Sequence, residues 1–335
     1  MICAMRIKLF LILMPLTLLS VNVQAEWFKD ARGIMGTNIE VEIWDTDVIH
    51  AKGCIEEVMG EMERINQDMS PYIKTSELYQ VNLRAAKAPV KISQEMYDLI
   101  TRSLQLSELS HGAFDITFAS IGYRYDYRKH IKPSDAQIKV SLAEINYRHI
   151  KLDAKNRTIF FDMPGVRIDL GGIAKGHAVD NSIDLLRKCG ITEAMVTAGG
   201  DSRIIGDHAG RPWMIGIKDP RNKKTSIIAI PLSNTAISTS GDYERFFIKD
   251  GVRYHHIINP KTGKSVHSTR SVSIIAPDAT TSDGLSTTIF VMGPKAGMAL
   301  IEQLKDVDAI IIDNKGRISY SSGLMPPSIP SQPSQ

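Results

Sequence analysis

The sequence predicts an α+β protein with a single two-lobed domain, in which helices flank a mixed, mostly antiparallel sheet. Strand-like alternation of apolar residues, as in residues 38–44, is interspersed with helical spacing, as in residues 55–66. The order of these patterns does not follow a regular βαβ repeat, and strand patterns dominate the chain after residue 194. No internal repeat or linker divides this region, so we predict one domain over residues 26–325.

Apolar spacing, capping residues and turn signals predict the remaining elements. Ser93 opens a helical pattern that His111 and Gly112 close, and Ser134 forms a capping box with Gln137. Further helices are predicted at residues 174–189, 282–292 and 294–304. Strands are predicted at residues 151–152, 158–162, 167–170, 194–198, 213–218, 227–230, 236–240, 245–248, 255–258, 309–313 and 317–320.

Residues 1–25 have the pattern of a secretory signal peptide. Arg6 and Lys8 precede an apolar run, and the stretch ends in Val-Gln-Ala, a small-x-small cleavage pattern. The run is shorter than the roughly 20 apolar residues that span a bilayer, and no later segment predicts a membrane span. Glu26 follows where a lipoprotein would carry its acceptor cysteine, so no lipid anchor is predicted. We expect a soluble periplasmic or exported protein.

The charge and the cysteine content argue against several classes of protein. The net charge of +3 falls to +1 without the leader, so no nucleic-acid partner is predicted. Cys54 and Cys189 would remain in the mature chain, on apolar faces of predicted helices and without CxxC or Cys/His metal spacing. We predict buried free thiols rather than a disulfide, because a chain of this length can bury a core without one. The Pro- and Ser-rich residues 326–335 predict a disordered tail.

A base and a hard-metal site are predicted close together in the C-terminal third. His255 and His256 lead into an Asn-Pro turn, and an apolar strand then precedes Asp283 and Thr287 in a predicted helix. Since Asp283 and Thr287 are four apart, their oxygens share one helical face, as a Mg²⁺ also held by a ligand's phosphates would need. The histidines alternate along a predicted strand, so only one can face a given side. Their positions alone do not say which.

Two glycine-rich bends favour phosphate binding. Residues 169–176 (DLGGIAKG) end a predicted strand and open a helix whose N-terminus favours anions, and residues 197–202 (TAGGDS) form a second bend nearby. Each could be an ordinary tight turn, because neither matches a GxGxxG or Walker A loop. Two such bends so close in sequence favour the phosphate interpretation.

Other residues have a structural explanation as well as a functional one. Residues 113–115 (Ala-Phe-Asp) follow a predicted helix end, where a buried Phe and a capping Asp are expected. Met35 and Tyr72 are typical of core and loop positions unless a planar ligand lies against them. Their spacing alone does not decide between the two explanations.

Taken in order, these motifs resemble those of the ApbE family, the FAD:protein FMN transferases. They are MGT (35–37), SPYIKTSEL (70–78), GAFD (112–115), DLGGIAKG (169–176), AGGD (198–201), STSGDYERFF (238–247), HHIINPKTG (255–263) and DGLSTTIFVMGP (283–294). The match covers nearly the whole predicted mature chain, and the ordered series is far more specific than any single motif. The resemblance implies an ApbE-like, T-fold-related domain that uses Mg²⁺ to attach FMN from FAD to a Ser or Thr of another protein.

Motif by motif, the resemblance also implies a set of site residues. The expected FAD contacts are Met35, Tyr72, Ala113, Phe114, Asp115, Asp169, Lys175 and the backbone of Ile257. The expected Mg²⁺ ligands are the Gly172 main-chain oxygen, Asp283 and Thr287. The resemblance makes His256 the catalytic base that takes the proton of the attacking hydroxyl. The expected partners are acceptor proteins, either subunits of membrane redox pumps or exported flavoproteins.

Two other functions are compatible with these residues. Attack by water would make the same site a FAD pyrophosphatase that releases FMN and AMP. A periplasmic protein that binds FAD without turnover would need the same binding residues, although Asp283 and His256 argue against it. A redox flavoenzyme is disfavoured, because no CxxC or haem motif supplies an electron partner.

Overall fold

The computed structural model describes residues 25–324, in which strands and helices are interspersed along the chain. The strands are β1 (Glu26–Ile34), β2 (Thr37–Asp45), β3 (Val90–Lys91), β4 (Ile150–Asp153), β5 (Thr158–Phe161), β6 (Ala194–Ala198), β7 (Asp201–Ile205), β8 (Trp213–Asp219), β9 (Asn222–Leu232), β10 (Ala236–Gly241), β11 (Phe246–Lys249), β12 (Val252–His255), β13 (Ile258–Asn259), β14 (Lys264–Ser265), β15 (Thr269–Ala276), β16 (Asp308–Asp313) and β17 (Ile318–Tyr320). The α-helices are α1 (Val48–Met69), α2 (Glu77–Arg84), α3 (Gln94–Leu109), α4 (Ala119–Gly122), α5 (Asp135–Ser141), α6 (Ala174–Lys188), α7 (Ala279–Met292) and α8 (Pro294–Ile301).

An eight-stranded sheet organises these elements, in the order β1-β2-β6-β7-β10-β15-β16-β17. Its neighbouring strands are all antiparallel. A smaller antiparallel sheet has the order β3-β5-β4, and β8 with β9 forms a separate ribbon. The predicted α+β class with a mostly antiparallel sheet is therefore confirmed.

Three helices cover the main sheet and form one core with it. α6 packs against both α1 and α7, and each of the three contacts strands of the sheet. A continuous apolar core runs through this layer from Ile39 on β2 to Ile311 on β16 and includes Phe161 of the smaller sheet. The helices are thus fixed on the sheet by burial of apolar surface, which is the main favourable contribution to folding.

The local sequence explains why α1 and β2 form where they do. Asp47 caps α1 by accepting hydrogen bonds from the amides of Ile49 and His50. Apolar side chains then recur at three- and four-residue spacing and are buried on the inner face. In β2, Ile39 and Val41 alternate with exposed residues and point into the core.

Several predicted elements need correction. Residues 167–170 were predicted as a strand but pair with no strand, because the Ile168 amide donates to the side chain of Asn82 at 2.7 Å instead. α7 begins three residues before its predicted start, since Asp278 caps it by accepting from the Thr281 amide. The predicted strand 255–258 is two short strands, β12 and β13. The strands β1 and β7 and the helix α2 had no predicted counterpart.

Both terminal segments for which the sequence makes a prediction lie largely outside the described residues. The signal peptide over residues 1–25 and the tail over residues 326–335 lie, apart from residue 25, outside the described residues. Across residues 25–324, none of the helices combines the length and the apolar character that crossing a membrane requires. Cys54 is buried as predicted, whereas Cys189 is half-buried, and both thiols are free.

His255 holds together the segment in which β12 ends and β13 begins. Its side chain is 1% exposed, and ring Nε2 lies 2.5 Å from the carbonyl oxygen of Val266. Ring Nδ1 accepts a hydrogen bond from the Ile257 amide at 3.3 Å, and the His255 amide donates to Ser265 Oγ at 3.0 Å. Nε2 therefore carries the proton of a neutral imidazole. Burial lowers the pKa of His255 to about 4.

We predict that this histidine makes the fold sensitive to mild acid. The unfolded chain would bind a proton with a pKa of about 6.5, whereas the folded protein does so only near 4. The contribution of neutral His255 to the free energy of unfolding is complete above pH 6.5 and is lost as the pH falls toward 4. We expect the free energy of unfolding to fall by about 2 kcal/mol between pH 7 and pH 5. Denaturant unfolding of the wild type and of His255→Gln at both pH values measures it.

His255→Gln is expected to be less stable at pH 7 but to lose less stability on acidification, because glutamine does not titrate. Equal losses in the two proteins would show that His255 does not cause the acid sensitivity.

Candidate active site

Segments distant in sequence meet beside α7. A Cβ atom added to Gly172, just before α6, would lie 3.4 Å from Thr287 Oγ1 and 3.3 Å from the ring of Phe114. Gly176 lies against α7 so closely that an added Cβ would come within 2.1 Å of the Ala279 carbonyl oxygen. Glycine at this position therefore allows α6 and α7 to approach each other. The residues predicted as metal ligands, Gly172, Asp283 and Thr287, are brought together by this packing.

Two buried carboxylates share one ammonium group at the centre of the site. The Lys175 ammonium contacts Asp201 at the start of β7 and lies 3.5 Å from Asp283 Oδ1. Both aspartates are 2% exposed. The Gly176 amide donates to Asp283 Oδ2 at 3.0 Å, so an amide from the first turn of α6 binds a side chain of α7.

The pKa values of Lys175 and Asp283 are shifted by burial and by the charges within the cluster. Burial alone would lower the pKa of Lys175, but the charges of Asp201 and Asp283 raise it, so the ammonium stays protonated. Burial and then the charge of Asp201 raise the pKa of Asp283, although Lys175 and the Gly176 amide act in the opposite direction. One ammonium does not balance two buried carboxylates. A cation placed beside Asp283 would be favoured at this site.

The donor set fits a hard, oxygen-binding cation. Asp283 and Thr287 lie one helical turn apart on α7, and the Thr287 hydroxyl is 3.3 Å from Ser240 Oγ. No group of three or more His, Cys, Asp or Glu side chains suited to a metal occurs within residues 25–324. A cation held by Asp283, Thr287 and the Gly172 carbonyl would need further oxygens, which phosphate groups of a ligand can supply.

His256 differs from its neighbour His255 in every contact. Its amide donates to the Arg245 carbonyl oxygen at 3.1 Å, but its buried ring Nδ1 has no hydrogen-bond partner among the described residues. Burial and then the positive charge of Arg245 lower the pKa of His256 to about 3, and Lys175 contributes to the same shift. His255 is fully used by the fold, whereas His256 is a neutral imidazole whose Nδ1 is buried without a hydrogen-bond partner among the described residues.

The residues predicted to contact FAD lie in different environments. Ala113 and Phe114 are buried, whereas Tyr72 is 79% exposed. Met35 has a left-handed φ of 54° in the β1–β2 turn, an uncommon conformation for a residue with a side chain. The Ile257 carbonyl already accepts a hydrogen bond from the Val266 amide at 3.2 Å. The roles of these residues in binding FAD remain predictions.

The two predicted FAD-binding aspartates already have partners within the chain. Asp115 Oδ1 accepts from the Thr117 amide at 2.8 Å and from its hydroxyl at 2.6 Å, and Oδ2 accepts from the Tyr147 amide at 2.8 Å. Asp115 is therefore a capping residue, as its structural explanation predicted. Asp169 Oδ1 accepts from the Gly171 amide at 2.6 Å. Burial raises the pKa of both carboxyl groups.

The sequence motifs contained two further residues to which no role was assigned. Asp201 closes the AGGD motif, and the requirement that a partly buried lysine have an acidic partner could have identified it. Arg245 lies in the DYERFF motif, with Nη2 3.5 Å from where a Cβ on Gly36 would be. Its guanidinium makes no hydrogen bond or ion pair within residues 25–324, yet its charge acts on Tyr72, Asp169 and His256.

Comparison with known proteins identifies relatives over most of the chain. A curated FAD:protein FMN transferase of Vibrio cholerae is 32% identical, over 88% of this chain and 90% of the relative. One from Treponema pallidum is 31% identical, over 89% and 88%. The crystal structure of the ApbE protein of Thermotoga maritima superposes with a TM-score of 0.83 at 35% identity, covering 89% of this chain and 98% of that one.

The same relation holds for a second solved structure. The flavin transferase ApbE of Vibrio cholerae superposes with a TM-score of 0.80 at 30% identity, over 89% of this chain and 98% of that one. The family model described as "ApbE family" matches residues 35–311, which include every predicted site residue. The chain therefore belongs to the ApbE family, as its motifs predicted.

Proposed function

We propose that this protein transfers the FMN part of FAD to a Ser or Thr hydroxyl of another protein, in a Mg²⁺-dependent reaction that releases AMP. The observation that carries the proposal is the pair of buried carboxylates, Asp201 and Asp283, that share the single ammonium of Lys175. Their excess negative charge beside the Thr287 hydroxyl favours a divalent cation. The names of the curated relatives support the same reaction.

The reaction exchanges one phosphorus–oxygen bond for another. The acceptor oxygen forms a bond to the phosphorus on the riboflavin side of FAD, and the bond from that phosphorus to the bridging oxygen breaks. AMP leaves with the bridging oxygen, and FMN stays joined to the acceptor as a phosphodiester. Mg²⁺ held by Gly172, Asp283 and Thr287 would supply electrostatic stabilisation of the phosphate oxygens.

His256 is suited to take the proton of the acceptor hydroxyl. With its pKa lowered to about 3, the ring is neutral at physiological pH and able to accept a proton. The negative charge of a bound pyrophosphate would stabilise the imidazolium and so raise this pKa toward its ordinary value.

Arg245 would bind the anionic part of FAD. Its guanidinium is exposed, has no acidic partner among the described residues, and lies against the β1–β2 turn that carries Met35 and Gly36. An unpaired guanidinium is well suited to phosphate oxygens because it presents several N–H donors in one plane. Arg245 and Lys175 would therefore supply positive charge at the site in addition to the metal.

The proposal is tested by following both products of the reaction. The purified protein is incubated with FAD, Mg²⁺ and an acceptor protein, and protein-bound flavin is detected by fluorescence after denaturation while AMP is measured by chromatography. Transfer predicts one flavin attached for each AMP released. Free FMN without bound flavin would indicate a pyrophosphatase instead, and unchanged FAD would indicate a binding protein.

We also propose that the protein is exported and acts on exported acceptors, such as flavoproteins or subunits of redox pumps. The leader pattern before Glu26 supports export. The expected mature N-terminus is Glu26, without lipid, which N-terminal mass spectrometry of protein from fractionated cells would reveal. A lipid-modified N-terminus in the membrane fraction would contradict this prediction.

Replacing His256 tests the proposed base. His256→Ala should slow transfer by about 100-fold or more while FAD still binds, because a general base contributes to the rate and little to ground-state binding. The matched control is His255→Gln, which is expected to retain transfer within about tenfold, since His255 serves the fold. Single-turnover transfer and FAD affinity are measured for both variants.

The pH profile gives an independent check of the same residue. Protonation of His256 would abolish its action as a base, so the wild-type rate should fall with acidification. Because its pKa is lowered, the fall should have a midpoint below about 6.5, the ordinary value for histidine. If His256→Ala transfers FMN at the normal rate, His256 is not the base, and catalysis depends on the cation and on positioning alone.

The charge cluster predicts how metal dependence responds to substitution. Asp283→Ala should abolish transfer, because it removes the only carboxylate among the three expected ligands. Asp201→Asn should raise the Mg²⁺ concentration needed for half-maximal rate by about tenfold, since it removes one buried negative charge. Mg²⁺ titrations of the initial rate measure both effects.

Thr287→Ala and Thr287→Ser provide the matched pair for the hydroxyl ligand. The serine variant keeps the oxygen and should stay close to the wild type, whereas the alanine variant should need more Mg²⁺. Full Mg²⁺-dependent turnover by Asp283→Ala would place the metal elsewhere.

A further inference from the structure

The two cysteines of the described residues lie side by side although they are far apart in sequence. Cys54 is on the inner face of α1 and is 3% exposed, and Cys189 is the residue that ends α6. Cys189 Sγ is 3.8 Å from Glu57 Oε2, and Glu57 lies one helical turn after Cys54 on α1. The neighbouring Cys189 thiol contributes to the raised pKa of Cys54. The packing of α6 on α1 thus places Cys189 Sγ beside the turn of α1 that carries Cys54.

The surroundings of the two sulfur atoms differ. His50 Nε2 is 3.5 Å from Cys54 Sγ, and His50 Nδ1 is 2.6 Å from Asp45 Oδ2. Burial, with the neighbouring Cys189 thiol, raises the pKa of Cys54 to about 12, so this thiol forms a thiolate only with difficulty. Cys189 is half-buried and thus the more accessible of the two. Access by an external oxidant is therefore expected at Cys189 first.

We propose that Cys54 and Cys189 form an intramolecular disulfide that joins α1 to the C-terminal end of α6. The oxidant is a disulfide of a small thiol or of a protein. The Cys189 thiolate attacks one sulfur of that disulfide and releases the first thiol. The Cys54 thiolate then attacks the Cys189 sulfur and releases the second. The protein thiols lose two electrons, which reduce the oxidant, and their two protons end on the released thiols.

Oxidation in the cell rests on the proposed export, because disulfides persist in oxidising compartments such as the periplasm. The geometry itself does not depend on location. The cross-link would close the chain from residue 54 to residue 189, a long loop whose closure restricts the unfolded state. It would also anchor the end of α6 opposite to Lys175, so that this helix is held at both ends.

The test uses the full chain with Cys3→Ser, so that Cys54 and Cys189 are the remaining thiols. The reduced protein is equilibrated in a mixture of reduced and oxidised glutathione, free thiols are alkylated, and non-reducing digestion is followed by mass spectrometry. We expect a peptide pair linked through both cysteines and lighter by two hydrogens. The melting temperature should rise by about 5–10 °C over the reduced protein.

Two variants test the order of the exchange steps. Cys54→Ser, which leaves Cys189, should take up one glutathione, whereas Cys189→Ser should leave Cys54 unmodified. The proposal would be overturned if the parent protein shows only free thiols or glutathione adducts at a glutathione potential at which structural disulfides form. Cell fractionation tests export and product analysis tests FMN transfer, so failure of either is distinguishable from failure of the cross-link.

Discussion

The ion cluster of Lys175, Asp201 and Asp283 is the interaction on which the arrangement of the site depends. The half-buried ammonium of Lys175 is stabilised by opposite charge, and the nearest opposite charges come from β7 and α7. The start of α6 is therefore tied to two other elements. The Gly176 amide adds a third contact by donating to Asp283. The segment before α6, with Gly172, is held against Thr287 as a result.

This cluster is also incomplete in charge. Burial, and then the charge of Asp201, raises the pKa of Asp283, and the single ammonium of Lys175 does not offset this. Buried charge without compensation is costly. A divalent cation bound beside Asp283, as proposed above, would compensate this charge.

The neighbouring histidines show how one break in a strand separates two roles. β12 ends at His255, whose ring is used at both nitrogens to hold the chain that leads to β13 and β14. His256 falls in the break, is held only through its amide to Arg245, and keeps a ring nitrogen without a partner among the described residues. His255 thus holds the segment that positions His256. A continuous strand would have turned the two rings to opposite faces without holding either.

Much of the fold and part of the site could be predicted from the sequence, because their causes are local. The alternation in β2, the helical spacing in α1 and the four-residue interval between Asp283 and Thr287 follow from the periods of strands and helices. The ordered motifs likewise predicted the family, because each motif is a short continuous stretch that can be recognised without knowing which residues are in contact.

What the tertiary structure decided depends on partners that are far apart in sequence. Residues 167–170 pair with no strand, because the Asn82 side chain takes the hydrogen bond that a neighbouring strand would have made. Asp201 became part of the site because the sheet places it beside Lys175, and Cys189 lies near Cys54 because α6 packs on α1. Local patterns set which element forms. Packing determines which side chains come into contact, because burial and charge pairing depend on distances in space and not on separation along the chain.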